Sequence, residues 1–204
     1  MFALHTKWYD MTKAEKTRSE ILNKSMSVIY QNGYQAASID EIIKNLNVTK
    51  GAFFYHFKSK EDMCVSMINE VFKKNSHKLW VVPLEGTKDP VKDIPKLLRS
   101  ILYDEEYFDV RYGCPTINLI EEMSPQNAVL RKLLRQVMNE WIGGLEQVLA
   151  KGKEQGTVSA ALNPKDAANF IVAGYAGARG MGKVFGTSAY ENYLTEIGRY
   201  LSTQ

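Results

Sequence analysis

The chain has 204 residues, 45% of them hydrophobic and 24% charged, and a formal net charge of +3. That length supports one or two domains with a sizeable core, and no apolar run approaches the roughly 18 residues of a membrane span. Two cysteines, Cys64 and Cys114, show neither metal-ligand spacing nor a disulfide framework, so a reducing cytoplasm is the expected setting.

The opening MFALHTKWYD lacks the charged start and apolar core of a signal peptide and reads as a frayed leader. Three helix starts follow within a short distance. A capping box needs a hydroxyl and an acid three residues on; Thr12 with Glu15, Ser38 with Glu41 and Ser59 with Asp62 fit. After Thr12, the residues Ile21, Leu22, Ser25, Val28 and Ile29 share one helical face, and Asn32-Gly33 stops the helix. The second helix runs from Ser38 and is expected to bury Ile39, Ile42, Ile43 and Leu46 before a turn at Asn47. A short third helix opens at Thr49 and ends near Phe57. A fourth starts at Ser59 and runs to about Leu79, with Met67, Ile68, Val71, Phe72 and Leu79 facing inward.

Beyond Pro83 the character changes. Residues 85–90 form a loop, and Pro90, Pro115 and Pro164 each suit a first helical position. Leu130, Leu133, Leu134, Val137, Met138, Trp141, Leu145, Val148 and Leu149 keep helical spacing over about twenty residues. Asn163 caps another helix, which passes through Phe170 and Tyr175 to about Phe185. The last carries Tyr190, Tyr193, Leu194, Ile197, Tyr200 and Leu201. Strand alternation and fixed-period repeats are missing from the pattern. The chain is therefore expected to be all-α: a three-helix N-terminal domain over residues 1–57, then a larger helical bundle over 58–204.

The segment GARGMGKV, residues 177–184, nearly matches a phosphate-binding loop, with Gly177, Gly182 and Lys183 in place. Val184 stands where that motif needs a hydroxyl for magnesium, and a helix rather than a buried strand precedes it. The better reading is a smooth helix surface built from Ala173, Gly174, Ala176, Gly177, Ala178 and Gly180. Each helical glycine costs about 1 kcal/mol relative to alanine, so several together require a reason. Close approach of another helix, or room for a ligand, would supply one.

The segment with chemistry is SIDEIIKNLNVTKGAFFYHFKSKEDM, residues 38–63. Two short helices joined by a tight turn outline a helix-turn-helix, whose second helix enters the major groove. Thr49 caps that helix and aims its N-terminus at a phosphate. Helical phase puts Phe53 and Phe57 in the core with Val48, and Lys50, Ala52, Tyr55 and His56 outside. Gly51 and Ala52 are small enough to let the backbone approach base edges. Lys58 and Lys60 sit at a helix start, against the dipole, which points to an external phosphate. Over residues 1–62 there are nine Lys and Arg against seven Asp and Glu, a weak electrostatic footprint that a plain solvated hairpin would also show.

The stretch from Ile21 to Phe72 resembles the DNA-binding domain of the TetR family of bacterial transcriptional regulators. The resemblance rests on Asn32-Gly33-Tyr34, Ser38-Ile39-Asp40-Glu41-Ile42, Val48-Thr49-Lys50-Gly51, the aromatic run to Phe57, and Lys58-Ser59-Lys60-Glu61-Asp62. The residues expected at the DNA are Ser38, Thr49, Lys50, Gly51, Ala52, Phe54, Tyr55, His56 and Lys60. Phe54 departs from the pattern, because the family's tyrosine there grips a phosphate through its hydroxyl; Tyr55 or His56 stands next to it. The resemblance further implies a homodimer through the two C-terminal helices, a near-palindromic DNA operator, and release of a repressor by a small-molecule effector. The stretch YGCPTINLIEEMSPQNAVLRKLL, residues 112–134, resembles a subgroup with a Gly-Cys-Pro/Leu segment followed by Asn-Leu.

Tyr107, Phe108, Arg111, Tyr112, Trp141, Tyr175 and Arg179 are candidates to line the effector cavity, with ordinary core packing as the alternative for most. Cys114, ahead of Pro115 at a helix start and three residues from Arg111, is either a reactive thiol of the kind that senses electrophiles in some relatives or a small buried capping residue. Glu121 and Glu122 read as a solvated helix face, with an inward reach by one of them as the alternative. His5, His56 and His77 are too scattered for a metal site, and no catalytic constellation stands out. No cofactor, metal or enzymatic activity is expected. The competing readings are a helical small-molecule or electrophile-sensing protein that binds DNA weakly, and a nucleotide-binding enzyme using residues 177–184.

Overall fold

The computed structural model describes residues 11–44 and 46–203; the leader and His5 lie outside them. Among the described residues the ordered elements are helices, and none is long and apolar enough to cross a membrane. The chain divides into two units, Met1–Lys74 with Pro115–Leu134, and Asn75–Cys114 with Arg135–Gln204.

The first unit starts with α1 (Lys13–Asn32), where Thr12 and Glu15 form the full reciprocal box, the Thr12 amide donating to Glu15 Oε2 at 2.8 Å. Gly33 ends it at φ 85°, in the left-handed region that glycine tolerates. Helix α2 (Ile39–Ile43) has Ser38 as its cap. Only half of the expected box closes there, because the Glu41 carboxylate turns to Asn32 Nδ2 at 2.7 Å instead of the Ser38 amide. In α3 (Lys50–His56) Thr49 Oγ1 accepts from the Ala52 amide at 3.1 Å, and in α4 (Lys60–Met67) Ser59 Oγ accepts from Asp62 at 3.0 Å. Helix α7 (Pro115–Met123) packs on α1.

Burial follows the helical phase. Ile21, Leu22, Val28 and Ile29 of α1 close over Phe53, Phe57, Met63, Met67 and Ile68. Each such side chain contributes about 1.5–3 kcal/mol by leaving water. Helix α2 departs from expectation: Ile42 is 0% exposed, whereas Ile39, Ile43 and Leu46 stay partly exposed. A helix of five residues can turn only one position squarely inward.

A second departure lies beyond α4. The helical backbone continues through a π turn at Ile68–Phe72, the short α5 (Lys73–Ser76) and a second π turn at His77–Val81. Each π turn inserts a residue into the 3.6 period. The inward position therefore falls on Trp80, not on Leu79, which is partly exposed.

In the second unit, α6 (Pro90–Leu102) and α9 (Pro164–Phe185) open with proline at their first positions, and Asn163 Oδ1 accepts from the Lys165 and Asp166 amides. Helix α8 (Ala128–Glu154) turns Val137, Trp141, Leu145 and Leu149 inward in this unit, and α10 (Ser188–Thr203) packs on α6 and α9. Trp80 and Trp141 stack at 4.7 Å, with Tyr175 edge-on to Trp80 at 4.8 Å. The whole of residues 177–184 lies inside α9, so no strand precedes it and the phosphate-loop context is missing. A Cβ added at Gly174 would stand 2.5 Å from the Tyr193 ring, and one at Gly182 2.6 Å from the Tyr190 ring. Those two glycines seat α10 against α9.

Ile42→Ala is expected to cost about 2–5 kcal/mol, as for other fully buried large-to-small changes, and Ile43→Ala less than half as much. Urea unfolding of the two variants measures the difference.

Candidate functional site

Two constellations carry the candidate residues, one in each unit. In the first, α3 stands with Thr49 at its head. Tyr55 is 79% and Phe54 48% exposed, while Phe53 and Phe57 are buried beneath them. Ala52 and His56 are partly exposed and Lys50 and Gly51 exposed. Lys50 Nζ pairs with Asp40 at 2.9 Å, which ties the head of α3 to α2. Both partners are exposed, so this pair contributes little stability. The Phe54 ring meets Phe53 edge-to-face at 5.5 Å. The Tyr55 ring lies 5.0 Å from His56. Burial, with the nearby Arg18 charge, holds the His56 imidazole below its ordinary value of 6.5, so it is neutral at pH 7. Ser38, the cap of α2, is exposed, and its hydroxyl oxygen accepts from the Glu41 amide at 3.1 Å.

Lys60 departs from its expected place. Its ammonium turns back onto the chain, donating to the carbonyls of Tyr34 at 2.8 Å, Ala37 at 3.0 Å and Gln35 at 3.4 Å, and lies 4.4 Å from the centre of the Tyr34 ring. A lysine has three donors, and all three are engaged. Lys58, in contrast, is exposed at the start of α4.

On the other side of the same turn sits Glu122 of α7. Its carboxylate accepts from the amides of Tyr34 at 2.8 Å and Gln35 at 2.7 Å. The solvated-face expectation therefore fails at Glu122, which is a clamp. Sequence reasoning had no access to this contact, since 88 positions separate Tyr34 from Glu122. Arg18 adds a further tie, paired with Glu70 through both guanidinium ends and lying 5.0 Å from the Phe57 ring centre. Cys64 is fully buried in this unit, and burial beside Glu61 pushes its thiol up to about 12, which leaves it inert near neutrality.

The second constellation gathers Trp141, Tyr175, Arg179 and Cys114 in a filled interior. Arg179 is 1% exposed; Nε donates to Tyr175 Oη at 3.1 Å, Nη1 to Tyr190 Oη at 3.2 Å and Nη2 to the Ile101 carbonyl at 2.6 Å. Cys114 is buried and hydrogen-bonded to the Tyr175 hydroxyl, which burial keeps firmly protonated. Phe108 lays its ring over the Arg179 guanidinium at 4.2 Å. Arg111 is a correction: it is exposed, donates to Asp109 at 2.6 Å and lends no charge to the Cys114 cluster. Tyr112 stacks on Arg111 at 5.3 Å, and Tyr107 lies 6.4 Å from Phe108, both outside the filled interior. His77, also in this unit, binds Glu140 at 2.9 Å.

A cleft of about 350 Å³ opens beside this interior, walled by Tyr103, Glu105, Phe108, Asp109, Thr187 and Tyr190, among others. Of the residues expected in the effector cavity, Phe108 is the one found in this wall. On its rim Glu191 takes Arg99 at 2.8 Å through both oxygens and the Tyr103 hydroxyl at 2.6 Å. Those bonds hold its carboxyl down at about 2, so the rim stays charged throughout the neutral range.

A capped, glycine-headed short helix, presented by a second short helix on a three-helix core, defines a helix-turn-helix DNA-binding protein. Residues 21–67 match the profile described as bacterial regulatory proteins, tetR family, and residues 96–197 match that of the tetracyclin repressor-like C-terminal domain. The chain belongs to the TetR family of DNA-binding transcriptional regulators. It is 31% identical over 124 residues to an HTH-type transcriptional regulator in the lacX 3′ region of Lactococcus lactis subsp. lactis, a match spanning 61% of this chain and 63% of the relative, just under two thirds. It is 26% identical to the HTH-type transcriptional repressor DhaR of Mycobacterium sp. (strain GP1), over 79% of each chain. Among solved structures, reduced Escherichia coli NemR aligns with TM-score 0.77 and 24% identity, covering 89% of this chain and 95% of that one. A TetR regulator from Chloroflexus aurantiacus aligns with TM-score 0.83 and 23% identity, covering 95% and 98%.

Glu122→Ala leaves two backbone amides without an acceptor, at about 1–3 kcal/mol for each buried one. The expected result is faster hydrogen exchange at Tyr34 and Gln35, while the α1 interior amides keep their protection.

Proposed function

We propose that the chain is a cytoplasmic homodimeric repressor, which covers a near-palindromic operator and lets go when a small molecule binds its larger domain. The reading head is the helix-turn-helix within residues 1–57, and residues 58–204 serve effector response and dimerisation. The observation that carries the reading is Gly51. A Cβ there would meet nothing of the protein nearer than Thr49 Oγ1 at 3.8 Å. The fold therefore does not demand glycine at an exposed helical position where it costs about 1 kcal/mol. Room for a base edge or a sugar-phosphate backbone does.

Around it, Thr49 and the helix N-terminus, Lys50, Tyr55 and neutral His56 supply phosphate donors, and Ser38 adds a hydroxyl from α2. Tyr55 replaces the phosphate-gripping hydroxyl that Phe54 lacks. Lys58 takes the role first expected of Lys60. Dimerisation through α9 and α10 is supported by an exposed apolar stripe on α9. Phe170, Met181, Val184 and Phe185 stand open there, and Gly177 and Gly180 have nothing within 4 Å of an added Cβ. A twofold dimer would hold two reading helices one duplex turn, or a multiple of it, apart, so an effector that alters that separation removes the fit. The repressors DhaR and NemR among the relatives favour repression.

Gel-shift and footprinting against duplex from upstream of the protein's own gene test the reading. Two protected half-sites are expected, and binding no tighter than to random duplex would overturn it. Lys58→Ala should weaken all duplexes alike and lower the salt slope by about one, whereas Lys60→Ala should leave the slope unchanged and lower stability. Gly51→Ala should raise the stability of the free protein by up to about 1 kcal/mol and weaken operator binding, read by urea unfolding and gel shift on the same variant.

A further inference from the structure

Arg179 carries a buried charge with no carboxylate to balance it. Its donors reach two phenol oxygens and one carbonyl, and the rings of Phe108, Tyr190 and Tyr175 lie 4.2, 5.3 and 5.4 Å from it. Among the described residues no Asp or Glu forms an ion pair with it. A guanidinium cannot shed its proton, and a buried charge is unfavourable unless paired. The same interior holds Trp141 Nε1, a buried donor without a partner. The cluster is rich in donors and short of one negatively charged acceptor.

The way in is the cleft of about 350 Å³. Phe108 and Tyr190 belong both to its wall and to the shell around the guanidinium, so the Phe108 ring is the partition between them. The volume suits a small organic molecule, near the lower end of ligand pockets. The remaining walls include Leu102, Val110 and Tyr103, which favour an apolar body. The acids nearby do not reverse the sign of the site. Asp109 is neutralised by Arg111 at 2.6 Å and Glu191 by Arg99 at 2.8 Å, and Glu105 is exposed, where solvent and salt screen it. Arg179 acts from a medium that screens far less.

We propose that the effector is a small organic carboxylate with an apolar body, which displaces the Phe108 ring and is gripped by Arg179. This rests on the reading of the chain as an effector-responsive regulator. The body fills the cleft between Tyr103 and Tyr190, and the carboxylate supplies the missing acceptor through charge-assisted hydrogen bonds.

Calorimetry on the full chain, without DNA, tests it with benzoate and hexanoate against benzamide and hexanamide. The carboxylates should bind at least roughly thirtyfold more tightly than their amides. Phe108→Ala leaves the Arg179 hydrogen bonds in place and removes the competing ring, so benzoate should bind about tenfold more tightly to it. Arg179→Gln should abolish binding; should that variant not fold, Phe108→Ala decides. Equal binding of acid and amide, or an unchanged benzoate affinity in Phe108→Ala, overturns the proposal. A parallel gel shift separates the two readings. Operator binding without carboxylate binding removes this site and leaves the regulator, and the reverse removes the regulator and leaves the site.

Discussion

The turn between α1 and α2 is the constraint on which the reading head depends. Gly33 leaves the helix with a positive φ, and the backbone that follows has amides and carbonyls that neither helix can satisfy. Glu122 takes the amides and Lys60 takes the carbonyls. One acid and one base thus grip opposite edges of the same few peptide groups. Neither is replaceable by a surface ion pair, because each satisfies backbone groups that would otherwise lose their partners. Ser38 begins α2 at the end of this turn, so the clamp sets where α2 starts and, through the Asp40–Lys50 pair, steadies the head of α3.

The glycines divide by what stands opposite them. Gly174 and Gly182 face tyrosine rings of α10 at distances no Cβ would allow, and they are small because the protein's own packing needs it. A Cβ at Gly177 or Gly180 would meet nothing within 4 Å, and one at Gly51 only Thr49 Oγ1 at 3.8 Å. Alanine would improve the helix at each of these, so the chain's own packing does not require their size. In the stretch GYAGARGMG, residues 174–182, both kinds occur within one helix, the packed pair at its ends and the open pair between, which is why composition alone offered a helix neighbour and a ligand as equal explanations.

Local chemistry was legible in the sequence, and distant chemistry was not. Thr12, Ser38, Thr49, Ser59, Asn163 and the prolines of α6, α7 and α9 act within one helical turn of themselves, and each helix begins where they stand. Phe53 and Phe57 followed from phase alone. Leu79 failed because two π turns, invisible to a 3.6 period, moved the inward position to Trp80. Lys60 and Glu122 were hidden for a different reason. A lysine at a helix start points to an external phosphate and an acid on a helix face to solvent, and only the spatial return of the turn at 33–37 shows what they hold here. Arg111 likewise looked like a neighbour of Cys114 by position, yet its own Asp109 lies two residues away and captures it.

Lys60 also changes how a duplex would be held. With that ammonium committed to carbonyls, the exposed cations beside α3 in the proposed contact set include Lys50 and Lys58, and Lys50 must first release Asp40. Exposed pairs of that kind exchange at little cost, so the release does not oppose binding, but neither does it add much charge. A footprint of +2 over residues 1–62 cannot by itself raise a specific site far above random duplex. In the function proposed above, discrimination comes from shape: a helix whose first turn is Lys50-Gly51-Ala52, small at Gly51 and Ala52, with aromatic donors one turn further along. That geometry tolerates little displacement, because a close backbone approach is lost over distances that a long flexible lysine would span. A reader built this way is sensitive to small movements of its support, which is the property that the proposed release by an effector would require.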